Sequence, residues 1–225
     1  MVSIKHHIIN LNSALTDVIV SNCKDKSKIL LTMTGGMDTR LILSIMLKNN
    51  IRPDLFTWDS DKNDMKIARQ ISKDEGLLFI PLYKKTSDSD WLESVNSIID
   101  SYNVIFYGEL MSEVFNKFVR FTESEKKLNA LITNYYKWIE ENRSDLMDKK
   151  VFPCIDKKVM QIAEEIPICF RVYGYINRRL IKYNYPALLD YPHNVVNLRY
   201  RLIEMCYWCV VPILDIWCKN DSKQA

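Results

Sequence analysis

Glycine and proline are scarce in this sequence, and no long hydrophobic run is present. Five glycines and seven prolines among 225 residues do not provide for long flexible linkers, which are usually rich in such residues. The most apolar stretch, Met205 to Trp217, is shorter than the ~20 residues that a membrane-spanning helix needs. Met1 to Asn10 lacks the apolar core of a signal peptide. We therefore expect a cytoplasmic protein without a membrane partner.

Charge of one sign is not in large excess either. A nucleic-acid-binding surface would show basic residues clustered on one face. The net charge here is only +3, and the lysine pairs are scattered along the chain: Lys84-Lys85, Lys126-Lys127, Lys149-Lys150 and Lys157-Lys158. We interpret these pairs as solvated surface and do not expect nucleic acid as a partner.

A complete cysteine motif is also missing. The chain has six cysteines, but it is long enough to build a core without a disulfide framework. Cys206 and Cys209 form a C-x-x-C, a spacing found in zinc and redox sites. No second C-x-x-C or nearby histidine completes a zinc set, and the pair lies in an apolar helical run. We interpret the pair as core packing in a reduced protein.

Strand-like and helix-like segments alternate in the first half of the chain. Short apolar runs predict four strands: Ile29–Met33, Asp54–Trp58, Leu77–Leu82 and Val104–Tyr107. Apolar residues at helical spacing predict helices around them: Leu11–Val20, Thr39–Leu47, Asp64–Glu75, and a segment that buries Trp91 to Ile99 after the cap residues Ser87 to Ser89. Strands that alternate with helices predict an α/β fold with a mainly parallel sheet.

The second half of the chain has a different pattern. After Leu110 we predict helices and loops without a clear strand. The helical segments are Leu131–Arg143, Asp156–Glu165, Tyr173–Lys182 and Val195–Val210, which ends before Pro212. The expected organisation is an α/β nucleotide-binding domain over residues 1–121, followed by a helical extension of the same domain over residues 122–225.

The junction between the first strand and the next helix is the first place to look for a ligand, because open α/β sheets bind ligands beyond the carboxyl ends of their strands. Gly35 and Gly36 permit positive φ and close approach of the backbone to a ligand. Successive backbone N–H groups and a helix N-terminus favour anions there, and Thr34 and Thr39 add hydroxyl groups. The junction therefore suits a pyrophosphate group. The alternative is a plain turn with Asp38 as the helix cap.

Asp38 is unusual beside phosphate groups, because a carboxylate repels them unless a cation lies between. Magnesium is bound in this way, by one or two carboxylates together with phosphate oxygens. The sequence contains neither a G-x-x-x-x-G-K-[ST] phosphate loop nor a G-x-G-x-x-G dinucleotide motif. We therefore predict a different type of nucleotide site, with Asp38 as a metal ligand.

Two motifs make the sequence resemble the asparagine synthetase family, within the ATP-pyrophosphatase (PP-loop) fold group. The family's Ser-Gly-Gly-x-Asp-Ser corresponds to the run from Thr34 to Thr39. Its later Gly-Glu-x-x-Asp-Glu motif corresponds to the run from Gly108 to Phe118. There Glu109 matches the catalytic glutamate and Glu113 matches a second glutamate. Ser112 replaces an aspartate that helps to hold magnesium.

Softer similarities extend the resemblance from about Leu11 to Pro192. They are Phe56-Thr57-Trp58 followed by Asp64 to Ala68, then Phe152 to Asp156, and Glu165 to Pro167. The glutaminase half of the family needs an N-terminal cysteine, whereas Val2 follows Met1 here. The family's late lysine motif has no recognisable counterpart either, although Arg178, Arg179 and Lys182 lie in a comparable region.

The resemblance implies an adenine nucleotide α-hydrolase-like fold and an ATP-dependent amide-forming ligase. A substrate carboxylate would attack ATP to give an acyl-adenylate and pyrophosphate, and an amine or ammonia would then displace AMP. In the implied site Asp38 binds Mg²⁺, Glu109 accepts the proton of the amine, Gly108 lets the backbone approach the nucleotide, and Leu31 and Thr57 lie near the adenine.

Two other functions stay open at this stage. Ser112 and the missing lysine favour a degenerate relative that binds nucleotide or a partner protein without turnover. The C-x-x-C leaves room for an RNA-modifying PP-loop transferase. A separate glutaminase or partner subunit would be needed if glutamine is the source of nitrogen.

Overall fold

The computed structural model describes residues 3–58, 62–83, 95–109, 111–115, 133, 149–171, 174–192 and 209–210. The strands are β1 (Ile29–Thr32), β2 (Asp54–Trp58), β3 (Phe79–Leu82), β4 (Val104–Phe106) and β5 (Lys150–Val151). The helices are α1 (Ile4–Cys23), α2 (Met37–Lys48), α3 (Lys62–Glu75), α4 (95–100), α5 (Met111–Phe115), α6 (Lys157–Glu164) and α7 (Tyr175–Asn184). Short 3₁₀ turns cover Pro153–Ile155, Ile168–Phe170 and Pro186–Leu189.

The strands form a parallel sheet in the order β3-β2-β1-β4-β5. Leu31 in the central strand lies opposite Leu55 of β2 and Phe106 of β4. Strands of such a sheet are covered on both faces, so β1 and β4 are almost entirely apolar. The predicted α/β fold with a mainly parallel sheet and flanking helices is confirmed.

The two faces of the sheet pack against separate cores. Leu31 and Phe106 contribute to a large core that includes residues of α1, α2, α6 and α7. Leu30 and Ile105, their neighbours in sequence, face a smaller core with Ile99 of α4. This alternation follows from the two-residue period of a strand. The larger core covers the face of the sheet on which α2 and α7 lie.

Helix α2 is enclosed over most of its length. Every residue from Thr39 to Met46 is buried, although an amphipathic surface helix leaves one face exposed. The sheet, α1 and α7 all contact it. The N-terminus of α2, which follows β1, is therefore held in place from several sides.

One expectation about the second half of the chain is wrong. β5 is a strand, and it pairs in parallel with β4. Two half-buried residues, Lys150 and Val151, are too few to produce a periodic pattern. The predicted helices at Asp156–Glu165 and Tyr173–Lys182 are present as α6 and α7.

Some of the predicted elements lie largely outside the described residues. Of Leu131–Arg143 only Thr133 is described, and of Val195–Val210 only residues 209–210 are described; all of these are helical. The proposed boundary near residue 121 stays a prediction. Within the part of the chain that is described, no helix is long and apolar enough to cross a membrane.

Burial of His7 predicts a loss of stability in mild acid. His7 on α1 is 7% exposed, and burial lowers its pKa below the ordinary value, against the opposing charge of Glu165. A base whose pKa is lower in the folded state favours unfolding when it is protonated. Stability is therefore complete above pH ~6.5 and falls as the pH decreases.

We expect thermal unfolding between pH 7.5 and 5 to show this loss. His7→Gln should flatten the dependence of Tm on pH, because the titrating group is gone. His6→Gln, which removes only a minor influence on His7, should keep most of the slope. An unchanged slope in His7→Gln would assign the acid sensitivity to other groups.

Candidate functional site

A cleft of about 210 Å³ opens at the carboxyl ends of β1, β2 and β4. The chain runs from β1 outward to β2 and β3 and then returns to β4 on the other side of β1. Such a reversal of strand order leaves a crevice in which ligands bind. The cleft is lined by Thr32, Met33, Thr34, Asp38, Thr39, Phe56, Thr57, Trp58, Asp64, Gly108 and Glu109.

Most of the residues predicted for the site meet in this cleft. Thr34, Asp38, Thr39, Thr57, Gly108 and Glu109 all line it. Gly35 and Gly36 form the turn between β1 and α2. Leu31 does not reach the cleft with its side chain, which is 0% exposed and packs in the larger core. Six of the predicted residues thus lie at one place, Gly35 and Gly36 lie next to them in the chain, and Leu31 packs elsewhere.

The turn at Gly35-Gly36, here called the glycine loop, is connected to the first turn of α2 by the hydroxyl groups of Thr34 and Thr39. The backbone N–H of Thr34 donates to Oγ1 of Thr39 at 3.2 Å, and that hydroxyl lies 3.3 Å from the Thr34 carbonyl oxygen. The N–H of Gly36 donates to Oγ1 of Thr34 at 3.2 Å. Both threonines therefore shape the loop in addition to facing the cleft.

Gly36 does not use the positive φ that glycine permits. Its φ of −76° and ψ of 167° are extended. A Cβ at this position would lie 3.2 Å from Oγ1 of Thr34, so glycine serves close packing within the loop. Gly36 is also the residue that caps α2, and Asp38 lies in the first turn. The alternative of Asp38 as a helix cap is therefore wrong.

The backbone N–H and C=O groups of Gly35 bind side chains of opposite charge. Its N–H donates to Oδ1 of Asp64 at 2.8 Å, and its carbonyl oxygen accepts from Nη2 of Arg40 at 2.8 Å. Hydrogen bonds to charged groups are stronger than neutral ones. An amide expected to face phosphate thus already binds an anionic group of the chain. Asp64 lies in the first turn of α3, the helix that follows β2 along the chain, and this position was the signal for a side chain at the cleft.

Arg40 connects the loop to a distant part of the chain. Its side chain is 0% exposed, and Nη1 donates to the carbonyl oxygens of Leu188 and Tyr191 at 3.3 and 3.0 Å. Nη2 also donates to the carbonyl oxygen of Pro192. Burial, together with the nearby charge of Arg178, lowers the pKa of Arg40 to about 10. The guanidinium is nevertheless charged at neutral pH and holds the segment after α7 against the loop.

A residue of α7 hydrogen-bonds to the Asp38 carboxylate. Nδ2 of Asn177 donates to Oδ1 of Asp38 at 2.5 Å, and Asn177 is 0% exposed. This contact could not be predicted from the sequence, because an isolated asparagine in a helix carries no motif. The helical second half of the chain therefore supplies a residue next to the predicted metal ligand.

Glu109 lines the wall of the cleft that is formed by the chain after β4, and it is exposed. Its backbone carbonyl oxygen accepts from Sγ of the buried Cys154 at 3.0 Å. Burial raises the pKa of Tyr107 to about 12, and the negative charge of Glu109 acts in the same direction. A carboxylate that is exposed and faces the cleft has the position needed to accept a proton from a ligand.

Several predicted or weighed residues cannot be placed at the cleft. The side chains of Ser112 and Glu113, and the whole of Cys206, lie outside the described residues. Cys209 is described and exposed, so the interpretation of core packing is wrong for Cys209.

Comparisons with known proteins give little beyond this geometry. No protein-family model and no curated protein matches the sequence. Among solved structures it matches the NMN synthetase from Francisella tularensis, with 13% identity and a TM-score of 0.37. The match covers 92% of this chain and 93% of the synthetase. Likeness of this degree does not assign a ligand or a reaction, so the assignment depends on the cleft.

The electrostatics of the cleft favour a particular kind of ligand. Asp38, Asp64 and Glu109 all line it, yet the described residues contain no group of three such side chains close enough to hold a metal ion by themselves. The N-terminus of α2 contributes partial positive charge at the same place. A polyphosphate at the helix N-terminus would therefore bind more tightly with a cation that offsets the carboxylates.

Proposed function

We propose that the cleft binds ATP together with Mg²⁺ and that the chain is an ATP-dependent amide-forming ligase of the asparagine synthetase type, on a PP-loop fold. One observation carries the proposal. The glycine loop, Thr34, Asp38 and Thr39 lie at the N-terminus of a buried helix, beside a cleft at the point where the strand order reverses. Helix N-termini in this position bind phosphate groups through their N–H groups and their dipole.

The two ends of the cleft suit the two ends of ATP. The hydroxyl groups of Thr34 and Thr39 suit the phosphates. Trp58 is half-buried and lines the cleft, so it offers aromatic surface of the kind on which bases stack. The buried Phe56 packs against it, with ring centroids 5.8 Å apart. The cleft is smaller than the ~300–1,000 Å³ typical of small-molecule sites. Part of the nucleotide therefore extends beyond the residues that line it.

Asp38 fits a role as the ligand of Mg²⁺. It supplies a carboxylate oxygen, the donor that this ion prefers, beside the proposed phosphate site. Bound Mg²⁺ would neutralise charge on the phosphates. Ser112 stands in the sequence where the family has an aspartate, so Asp38 is the carboxylate on which metal binding depends most.

The proposed reaction has two steps. An oxygen of a substrate carboxylate bonds to the α-phosphorus of ATP, the bond to the β-phosphate oxygen breaks, and pyrophosphate leaves. The nitrogen of an amine or ammonia then bonds to the acyl carbon of the adenylate, and AMP leaves. Glu109 accepts the proton that the nitrogen loses. A small carboxylate and an amine, supplied by a separate glutaminase where glutamine is the source, are the proposed partners.

Binding and turnover test the proposal separately. We expect isothermal titration to detect ATP in the presence of Mg²⁺, and pyrophosphate to be released when a suitable carboxylate is added. Glu109→Gln should bind ATP with nearly unchanged affinity, but amide formation should fall by about 100-fold or more, the usual loss for a general base. Absence of nucleotide binding by the wild-type protein would refute the proposal.

A second candidate is a nucleotide-binding protein without turnover. Ser112 in place of a metal-binding aspartate favours it, because a hydroxyl group is a weaker ligand than a carboxylate. ATP binding without pyrophosphate release over a broad set of carboxylates and amines would support this candidate. The RNA-modifying transferase gains nothing from the structure, since Cys206 lies outside the described residues.

The carboxylates of the cleft give a further prediction about ATP without metal. Asp64→Asn keeps an oxygen that can accept from the N–H of Gly35 and removes one negative charge. We expect metal-free ATP to bind about threefold more tightly, because the repulsion between like charges is reduced. The measurement is titration in EDTA. Asp54→Asn is the control, since Asp54 accepts from Tyr102 away from the cleft. Equal effects of the two substitutions would contradict the assignment of the phosphate site.

A further inference from the structure

The contact between Asn177 and Asp38 links the helical half of the chain to the proposed metal site. The two residues are 139 positions apart in sequence, and Nδ2 of Asn177 lies 2.5 Å from Oδ1 of Asp38. Asn177 is 0% exposed, and so are its neighbours Ile176, Leu180 and Ile181 on α7. A buried polar side chain is expensive unless it is hydrogen-bonded. The hydrogen bond to Asp38 therefore accounts for a buried asparagine at this position beside the cleft.

Packing fixes the donor in place. α7 lies against α2 over much of its length, so the backbone positions of Asn177 and Asp38 are set by the shared core. A hydrogen bond to one carboxylate oxygen then restricts rotation of the Asp38 carboxylate about its Cβ–Cγ bond. The direction of the second oxygen follows from that restriction. An unrestrained aspartate would lose conformational entropy each time a cation binds, and this loss would weaken the binding.

We propose that Asn177 is a positioning residue that orients the Asp38 carboxylate for binding of the nucleotide-associated Mg²⁺. The inference rests on the proposed function and extends it to a residue of the helical half. Residues that hydrogen-bond to metal ligands orient them, and their loss commonly costs about 10- to 100-fold in metal affinity. Asn177 has the geometry of such a residue.

A matched pair of substitutions on α7 tests the role. Asn177→Leu removes the donor with a side chain of similar volume. Asn184→Leu is the control on the same helix. Asn184 is buried and donates to Oδ1 of Asn12 at 2.6 Å and to the carbonyl oxygen of Leu180 at 2.9 Å, and it does not line the cleft. Both variants are expected to lower Tm, because each removes a buried hydrogen bond.

The readout is the ratio of ATP affinity with Mg²⁺ to ATP affinity in EDTA, measured by isothermal titration of the full chain. We expect Asn177→Leu to reduce this ratio about tenfold and Asn184→Leu to leave it within about twofold. Equal ratios in the two variants, or equal losses with and without Mg²⁺ in Asn177→Leu, would show a purely structural role and overturn the inference. If the wild-type protein bound no ATP in either condition, the proposed function itself would fail, and this inference with it.

Discussion

Arg40→Met is expected to lower the free energy of unfolding by about 3 kcal/mol or more. The guanidinium is 0% exposed and donates to carbonyl oxygens of Gly35, Leu188, Tyr191 and Pro192. Methionine fills a similar volume but donates no hydrogen bond. Each buried carbonyl left without a partner costs about 1–3 kcal/mol, and the relief of a buried positive charge offsets only part of that loss.

Urea unfolding measures this effect against a matched control. Arg69 is exposed and donates to the hydroxyl of Tyr83, so Arg69→Met should change stability by less than about 0.5 kcal/mol. The Arg40 variant should also bind ATP more weakly, because the carbonyl of Gly35 is no longer held. Similar stability losses in the two variants would show that Arg40 does not secure the segment after α7.

Gly108→Ala is expected to disrupt both stability and nucleotide binding. A Cβ at Gly108 would lie 2.8 Å from Cγ2 of Thr39, 2.9 Å from its backbone N and 3.1 Å from the backbone carbonyl carbon of Asp38. Two of these three atoms belong to the backbone of the first turn of α2, so no side-chain rotation relieves the overlap. Either β4 or the N-terminus of α2 must move. Overpacking of this kind costs about 1–3 kcal/mol.

The same displacement should weaken ATP binding by about tenfold or more, because the proposed phosphate site is built on that turn and depends on its prior order. Gly76→Ala serves as the control. Gly76 has a φ of +63° and a Cβ there would approach Nη2 of Arg52 at 3.6 Å. Alanine at that φ costs about 1 kcal/mol and should leave ATP affinity unchanged. Normal ATP binding by Gly108→Ala would contradict the proposed site.

Close packing gives Gly108 a second role, which the sequence did not suggest. The resemblance placed this glycine where a nucleotide approaches the backbone. In the structure the space beside its Cα is taken by Thr39 and Asp38. Glycine is needed there so that the end of β4 and the start of α2 can form adjacent walls of the cleft.

Local patterns were sufficient for four of the five strands. Asp54–Trp58 was predicted with the bounds that β2 has, because the strand is apolar and ends in loop residues. The rule that ligands bind at carboxyl ends of parallel strands pointed to the junction that carries Thr34, and the family resemblance added Thr57 and Glu109. All three line the cleft. The motifs and the positions of the strand ends thus indicated the same cleft.

The contacts that were missed join residues far apart in sequence. Arg40 reaches Leu188 across 148 positions, and Asn177 reaches Asp38 across 139 positions. Neither pair leaves a periodic pattern, because each depends on how α7 docks on α2. β5 was not predicted for a related reason. Its two residues carry no strand pattern of their own, and the strand forms because the chain there pairs with β4 at the edge of the sheet.

The enclosure of α2 has a consequence for motion. A helix whose residues from Thr39 to Met46 are all buried cannot shift without opening the larger core. The wall of the cleft that carries Asp38 and Thr39 therefore keeps its shape unless that core opens. A ligand meets this wall already ordered, and binding does not require it to move.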